Sequence, residues 1–236
     1  MRITTYLNTT QKEVENKTHN IWIGISLGNK YFTKEHIAEY IRWAIENTKE
    51  KVLVVICDAL HTINIEVLDK RSPEASFQKA IKIGDQKYVE VQSIISDLPD
   101  NYKSKINLVR WKDILDSENY KNNLKIITEE FKQNSEFHNY ITEIVKQGRP
   151  DRVETISKLS IQRLDRLAEY ILNELPLLIN GVQGYGDNTI YTLLPYPSIS
   201  KLDELCIELS NKTIFSGLAN KLNLTNKIAI LEAYAE

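Results

Sequence analysis

The chain has few cysteines, no long apolar run and no marked charge of either sign. Among its 236 residues are two cysteines, Cys57 and Cys206. That is too few for a disulfide framework. Each sits among apolar residues, so both are expected as reduced core side chains rather than a bridge or a metal pair. A reducing cytoplasm is the expected setting. No apolar stretch approaches the ~20 residues of a membrane span, and "MRITTYLNTTQKEVENK" has no apolar centre of a signal peptide. No membrane partner is therefore expected. The formal net charge is −2, so nothing global points to nucleic acid, although a local basic face would not show in the sum. Linkers, repeats and low-complexity segments are missing too. No metal or cofactor is called for.

What remains is the composition of an ordinary globular domain, 42% hydrophobic and 26% charged, consistent with one domain over residues 1–236. Four stretches read as buried strands: 20–26, 51–58, 105–111 and 188–196. A weaker one lies at 2–7. The two central runs, "KVLVVICD" and "KINLVRW", are almost continuously apolar, as strands covered on both faces are. Helical spacing fills the intervals. Residues 33–48 follow a Thr33 cap, and 73–97 begin with Pro73 after Ser72, with Gly84 dividing them into two helices. Residues 117–147 read as two helices split near Asn134, 160–180 as one long helix ended by Gly181, and 216–234 as a last helix capped by Ser216. "GVQGYGDN" (181–188) reads as a surface loop. Strand alternating with helix predicts an α/β fold: a Rossmann-like three-layer domain with a mostly parallel sheet.

At the end of the first buried strand stands Gly24-Ile25-Ser26-Leu27-Gly28, a G-x-S-x-G. In a parallel sheet this places Ser26 at the carboxyl end of a strand, where ligands bind. Three readings compete: an α/β-hydrolase serine, another nucleophile, or a turn residue. The hydrolase reading lacks a base. Of four histidines, His19, His36, His61 and His138, three follow Ser26, and none stands in a loop after a late strand. The serine also comes too early for the strands and oxyanion loop that precede it in that fold. "GISLGN" lacks the third glycine of a dinucleotide fingerprint.

A second set of residues changes the weighting. Tyr170 and Glu174, four apart on the long helix, share one face, and Pro176 follows. Together, "GIS-x-GN-x-YF", "Y-x-x-x-E-x-P", "LLPYP" with Tyr196 and Pro197, and "RW-x-D" at Arg110–Asp113 resemble the cyclodipeptide synthases across roughly residues 20–205. The resemblance implies a fold similar to the catalytic domain of the class I tyrosyl- and tryptophanyl-tRNA synthetases, here without HIGH-like or KMSKS-like text. It implies two aminoacyl-tRNAs as substrates, no ATP, no metal and a monomer. The first aminoacyl group would pass to Ser26, a second aminoacyl-tRNA would supply an amine, and ring closure would release a 2,5-diketopiperazine. On this resemblance Glu174 holds the ammonium of the first aminoacyl group and then moves protons. Tyr170 bonds the same group, Tyr196 relays a proton, and Gly24 leaves room beside the strand. Asn29 matches a position at which one subfamily fixes the serine loop with Asn. Pro197 after the late tyrosine matches the other, Pro-type subfamily, to which the chain is assigned.

The family's basic tRNA-binding helix corresponds to residues 70–87, with Lys79, Lys82 and Lys87. A second basic set is Lys146, Arg149, Arg152, Lys158, Arg163 and Arg166. Asp58, at the end of "VLVVICD", is the candidate for selecting a basic or protonatable first side chain. Trp22, Leu177 and Leu194 are candidate pocket walls. The alternatives are an α/β-type serine esterase and a non-catalytic Rossmann-like binding protein.

Overall fold

The structure, a computed structural model, describes residues 1–149, 152–184, 186 and 188–235. Its strands are β1 (Arg2–Leu7), β2 (Ile21–Ile25), β3 (Val52–Ile56), β4 (Ile106–Arg110), β5 (Val182–Gln183), β6 (Ile190–Tyr191), β7 (Leu193–Tyr196) and β8 (Ala229–Tyr234). The helices are α1 (Gln11–Glu15), α2 (Lys34–Asn47), α3 (Asp58–Leu68), α4 (Pro73–Ser96), α5 (Asp100–Lys103), α6 (Glu118–Gln133), α7 (Ser135–Gln147), α8 (Val153–Ser157), α9 (Ile161–Asn180), α10 (Lys201–Ser210) and α11 (Ser216–Lys221).

Six strands make one sheet in the order β1-β8-β7-β2-β3-β4. Every pairing in it is parallel except β1 with β8. The α/β, mostly parallel architecture is the one the alternation predicts. Residues of β2 and β3 divide between the faces by the two-residue period of a strand. Trp22, Leu53 and Val55 join the core that includes α3, α6, α7, α9 and α10. Ile21, Ile23, Ile25, Val52, Val54 and Ile56 join the core that includes α2 and α4. With both faces covered, every residue of β2 and β3 is buried, which is why those runs read as continuous rather than alternating.

The helix starts follow capping chemistry. The side chains of Thr33, Ser72, Ser117, Asn134 and Ser160 each accept a first-turn backbone N–H. Three readings need correction. Residues 73–96 form one helix, not two, because Gly84 is a packing residue. A Cβ there would lie 2.4 Å from the Cβ of Asp58, so the glycine lets α4 close on α3. Residues 216–234 are a short helix and a strand, not one helix. Ser216 is not its cap either; Phe215 holds that place in the left-handed region with no side-chain bond. "AILEAY" has helix-forming residues, but Ile230 faces one core and Ala229, Leu231 and Ala233 the other. Insertion between β1 and β7 outweighs local propensity. Finally, 188–196 divides into β6 and β7, and the glycine-rich loop is the bend of the β5–β6 hairpin, with Gly184 N donating to Thr189 O at 2.8 Å. Tyr185 and Asp187 of that loop lie outside the described residues.

Candidate active site

Strand β2 ends at Ile25, and Ser26 is the next residue, half-buried at the carboxyl edge of the sheet. Its carbonyl accepts from Asn29 N at 3.2 Å, closing a turn. Among the described residues none hydrogen-bonds the Ser26 hydroxyl. Asn29 ties the turn down at its other end. Its Oδ1 accepts from Tyr31 N at 3.0 Å, and its Nδ2 donates to the Tyr196 hydroxyl at 3.3 Å. Tyr196 ends β7. That strand pairs with β2 in parallel, with Ile21 opposite Leu193, and the Tyr196 ring packs against Phe32 at 5.7 Å.

Tyr170 and Glu174 come to the same place from α9, which packs against α3, α6, α7 and α10. Tyr170 is buried, and burial followed by the charge of Glu174 pushes its hydroxyl well above the usual range. Glu174 keeps some accessibility, but the protein around it displaces enough water to push its carboxyl up to about 8. The charge of Arg149 opposes that rise, Asp203 adds to it, and the Tyr170 hydroxyl opposes it. Burial likewise raises Tyr196 to about 12, Glu174 contributing and Asn29 opposing. Cys57 and Cys206 are free and buried, as expected, and both thiols are pushed up by burial and by nearby carboxylates. The structure thus gathers Tyr170, Glu174 and Tyr196 around one point, and Asn29 links them to the serine turn.

Other candidates stand differently. Asp58 is the first residue of α3 and only 1% exposed. Its carboxylate is already taken. Oδ2 pairs with Arg110 Nη1 at 2.8 Å and Oδ1 accepts from Ala59 N at 2.8 Å. Arg110 also pairs with Asp85 and lies over the Tyr88 ring at 5.2 Å. Asp58 is therefore the buried anchor joining α3, β4 and α4, not a free selector of a basic side chain. The space above Gly24 is not open either, because the six-membered ring of Trp22 lies 3.2 Å from where a Cβ would be. Leu177 and Leu194 are buried in the same core as Trp22 and Tyr170, beneath the site.

The basic helix is less basic in space than in sequence. Lys82 is exposed. Lys79 pairs with Asp69 at 2.8 Å. Lys87 turns inward, donating to Phe32 O at 3.1 Å and Glu90 at 2.6 Å. In the second set, Arg166 grips Glu66, and Arg163 donates to Val67 O at 2.7 Å. These bonds fasten α9 to α3.

His61, set aside in sequence as a base, stands at the serine turn. Its ring packs on the serine turn, Cε1 lying 3.1 Å from the place of a Gly28 Cβ. The signal was the spacing of Asp58, His61 and Asn64, which puts them on one side of a helix. Two open clefts, of about 370 and 330 Å³, lie elsewhere and are lined by none of these groups.

A sequence model described as cyclodipeptide synthase matches residues 2–207. The chain belongs to the cyclodipeptide synthase family. No curated protein sequence matches it, but solved structures do. A cyclodipeptide synthase from Staphylococcus haemolyticus superposes with a TM-score of 0.72 at 19% identity, over 98% of this chain and 99% of that one. The Mycobacterium tuberculosis structure reported to relate cyclodipeptide synthetases to type I tRNA synthetases gives 0.65 at 17% identity, over 86% and 87%. A cyclodipeptide synthase from Candidatus Glomeribacter gigasporarum bound to Phe-tRNAPhe gives 0.60 at 16%, over 96% and 93%. The cyclodipeptide synthase match takes in Ser26, Tyr170, Glu174 and Tyr196 and ends before α11 and β8.

Proposed function

We propose that the chain joins the aminoacyl groups of two aminoacyl-tRNAs into a 2,5-diketopiperazine, by a ping-pong route through an ester on Ser26. The observation that carries this reading is the meeting of Tyr170, Glu174 and Tyr196 beside the turn that holds Ser26, with Asn29 Nδ2 of that turn donating to the Tyr196 hydroxyl at 3.3 Å. A hydroxyl at the carboxyl end of a strand attacks the aminoacyl ester, and the ribose hydroxyl leaves with a proton. The ester is activated on arrival, so the serine needs no histidine base. Glu174 accepts hydrogen bonds from the substrate ammonium. Its proton affinity lies close to that of an α-amino group, about 7.7–8.0, so proton exchange between them is nearly balanced, which favours general acid–base work. Two amines then attack two ester carbonyls. Two amide bonds form, and the Ser26 hydroxyl and the second ribose hydroxyl are released. Tyr196, held by Asn29, is positioned to pass a proton between these oxygens. Pro197 supports the Pro-type assignment, and Asn29 works in the serine turn alongside it. Lys82 is the part of α4 free to meet a phosphate.

The esterase reading has one observation in its favour, His61 beside the serine turn, and the geometry counts against it. Arg149 donates to Asn64 Oδ1, so Asn64 turns its Nδ2 toward His61 Nδ1. Nδ1 then accepts and Nε2 carries the proton, the reverse of the tautomer a serine base requires. Burial and Arg149 also lower His61 to about 4.

The test is incubation with a panel of charged tRNAs followed by mass spectrometry of protein and small products. An aminoacyl adduct on wild type that is lost in Ser26→Ala, together with a cyclic dipeptide, is the expected result. No adduct and no diketopiperazine with any charged tRNA would overturn the reading.

A further inference from the structure

Arg149 follows α7 and reaches back into the site from outside the motifs that mark it. Nη2 donates to Asn64 Oδ1 at 2.7 Å. Asn64 is buried, 4% exposed, and its Nδ2 lies 3.3 Å from His61 Nδ1. The His61 ring edge rests on Gly28, two residues beyond Ser26. On its other side the Arg149 guanidinium lies over the Tyr170 ring, 5.5 Å from the centroid. One planar cation therefore touches both halves of the site. A fork of donors on a delocalised plane suits bonding and stacking at once, and lysine would not reproduce it.

We propose that Arg149 is a positioning residue for this reaction, holding the Ser26 turn through Asn64 and His61 and holding the Tyr170–Glu174 pair through its stacked charge. The proposal rests on the aminoacyl-transfer reading above. Each arm has its own consequence. Through Asn64, Arg149 fixes the His61 tautomer, so a neutral, rigid ring with Nε2–H backs the turn. At the other arm, its charge favours the anionic form of Glu174. The other groups facing Glu174 are the Tyr170 hydroxyl from its own helix, which also favours the anion, the neutral Cys57 after β3, Tyr196 from β7 and Cys206 from α10, and Asp203 from α10, whose charge opposes it. Among the described residues Arg149 is the cation that offsets burial and Asp203.

The experiment reads both arms by NMR in the full chain, without relying on turnover. Carboxyl-13C glutamate labelling, with the Glu174 signal assigned by its loss in Glu174→Gln, gives the Glu174 midpoint. The 15N shifts of His61 give its tautomer. In Arg149→Met the Glu174 midpoint is expected to rise by one pH unit or more, as loss of an adjacent opposite charge requires, and His61 to pass from a single Nε2–H form to a mixture. Asn64→Asp keeps the Arg149 contact but presents an acceptor to Nδ1, so it is expected to flip His61 to Nδ1–H, which serves should Arg149→Met fail to fold. In the adduct assay the acidic limb of Arg149→Met moves up in step with Glu174, so its rate loss relative to wild type is greatest below pH 8 and shrinks as the pH rises above the wild-type midpoint. An unmoved Glu174 midpoint, an unchanged His61 tautomer in both variants, or a rate loss equal at every pH overturns the proposal. A wild type that forms no adduct overturns the function instead, and the NMR readings still decide the coupling.

Discussion

On the proposed role, Glu174 carries opposite demands. To bind an ammonium it must be ionised, and its surroundings resist ionisation up to about pH 8. Adduct formation by wild type should climb as pH rises toward 8. It should then fall as the substrate ammonium, near 7.7–8.0, loses its own proton. The rate–pH profile should be a narrow bell, and a flat profile from pH 6 to 9 would contradict this role. Glu174→Gln removes a hydrogen bond to a charged group worth ~1.5–3 kcal/mol, so adduct formation should drop about 10- to 150-fold. Stability moves the other way. Between its ordinary value of 4.5 and about 8 the unfolded chain loses the Glu174 proton while the native state keeps it, so native stability falls with rising pH across that window. Glu174→Gln should therefore be more stable than wild type at pH 8, by on the order of 1–2 kcal/mol after discounting for the group's partial exposure. The difference should vanish near pH 4.5, as denaturant titrations at the two pH values would show. Ser26, Tyr170, Glu174 and Tyr196 were legible because their spacing and order survive as text. Arg149 was not, since it meets Asn64 only when α3 and the end of α7 pack together; His61 and Asn64 share a face of α3, but nothing in the sequence marks that face as the one under the serine turn. Asp58 was misjudged for a similar reason: its partner Arg110 is 52 positions away.

Helix α4 shows the same limit for a whole element. In sequence Gly84 is a breaker, costing about 1 kcal/mol against alanine. In space it is the contact that brings α4 onto Asp58. Gly84→Ala therefore sets a propensity gain of ~1 kcal/mol against an overlap at 2.4 Å with a buried side chain. Overpacking of that kind costs ~1–3 kcal/mol or more, and the side chain displaced is the one held by Arg110. A net loss of stability is expected, with the melting temperature falling by several degrees; a rise would show that α4 is free to shift. Caps and amphipathic spacing made the starts of α2, α4, α6, α7 and α9 readable, because that chemistry is local. Strand β8 was unreadable because alanine, leucine and glutamate favour a helix until neighbours on both sides claim them.

The whole sheet depends on that last strand. Ile230, Leu231 and Ala233 are fully buried, and β8 bonds to β7 on one side and β1 on the other. Leu231→Ala should cost ~2–5 kcal/mol and lower the melting temperature by roughly 5–20 °C for a chain of this size. Val89→Ala, at a position 64% exposed, should change it little. Equal melting temperatures for the two variants would mean that β8 is dispensable. The mostly parallel order was legible from alternation alone, while the antiparallel edge was hidden with β8.

That edge also bears on how the protein is made. Thr4 and Glu232 are bonded although 228 positions apart. At about 5–20 residues per second, a nascent chain carries β1 without a partner for roughly 10–45 s. Strands β2, β3 and β4 can pair long before then. Synthesis leaves "RITTYL" as the longest-waiting open edge, and joining it to β8 is the late, non-local step that topology makes slow.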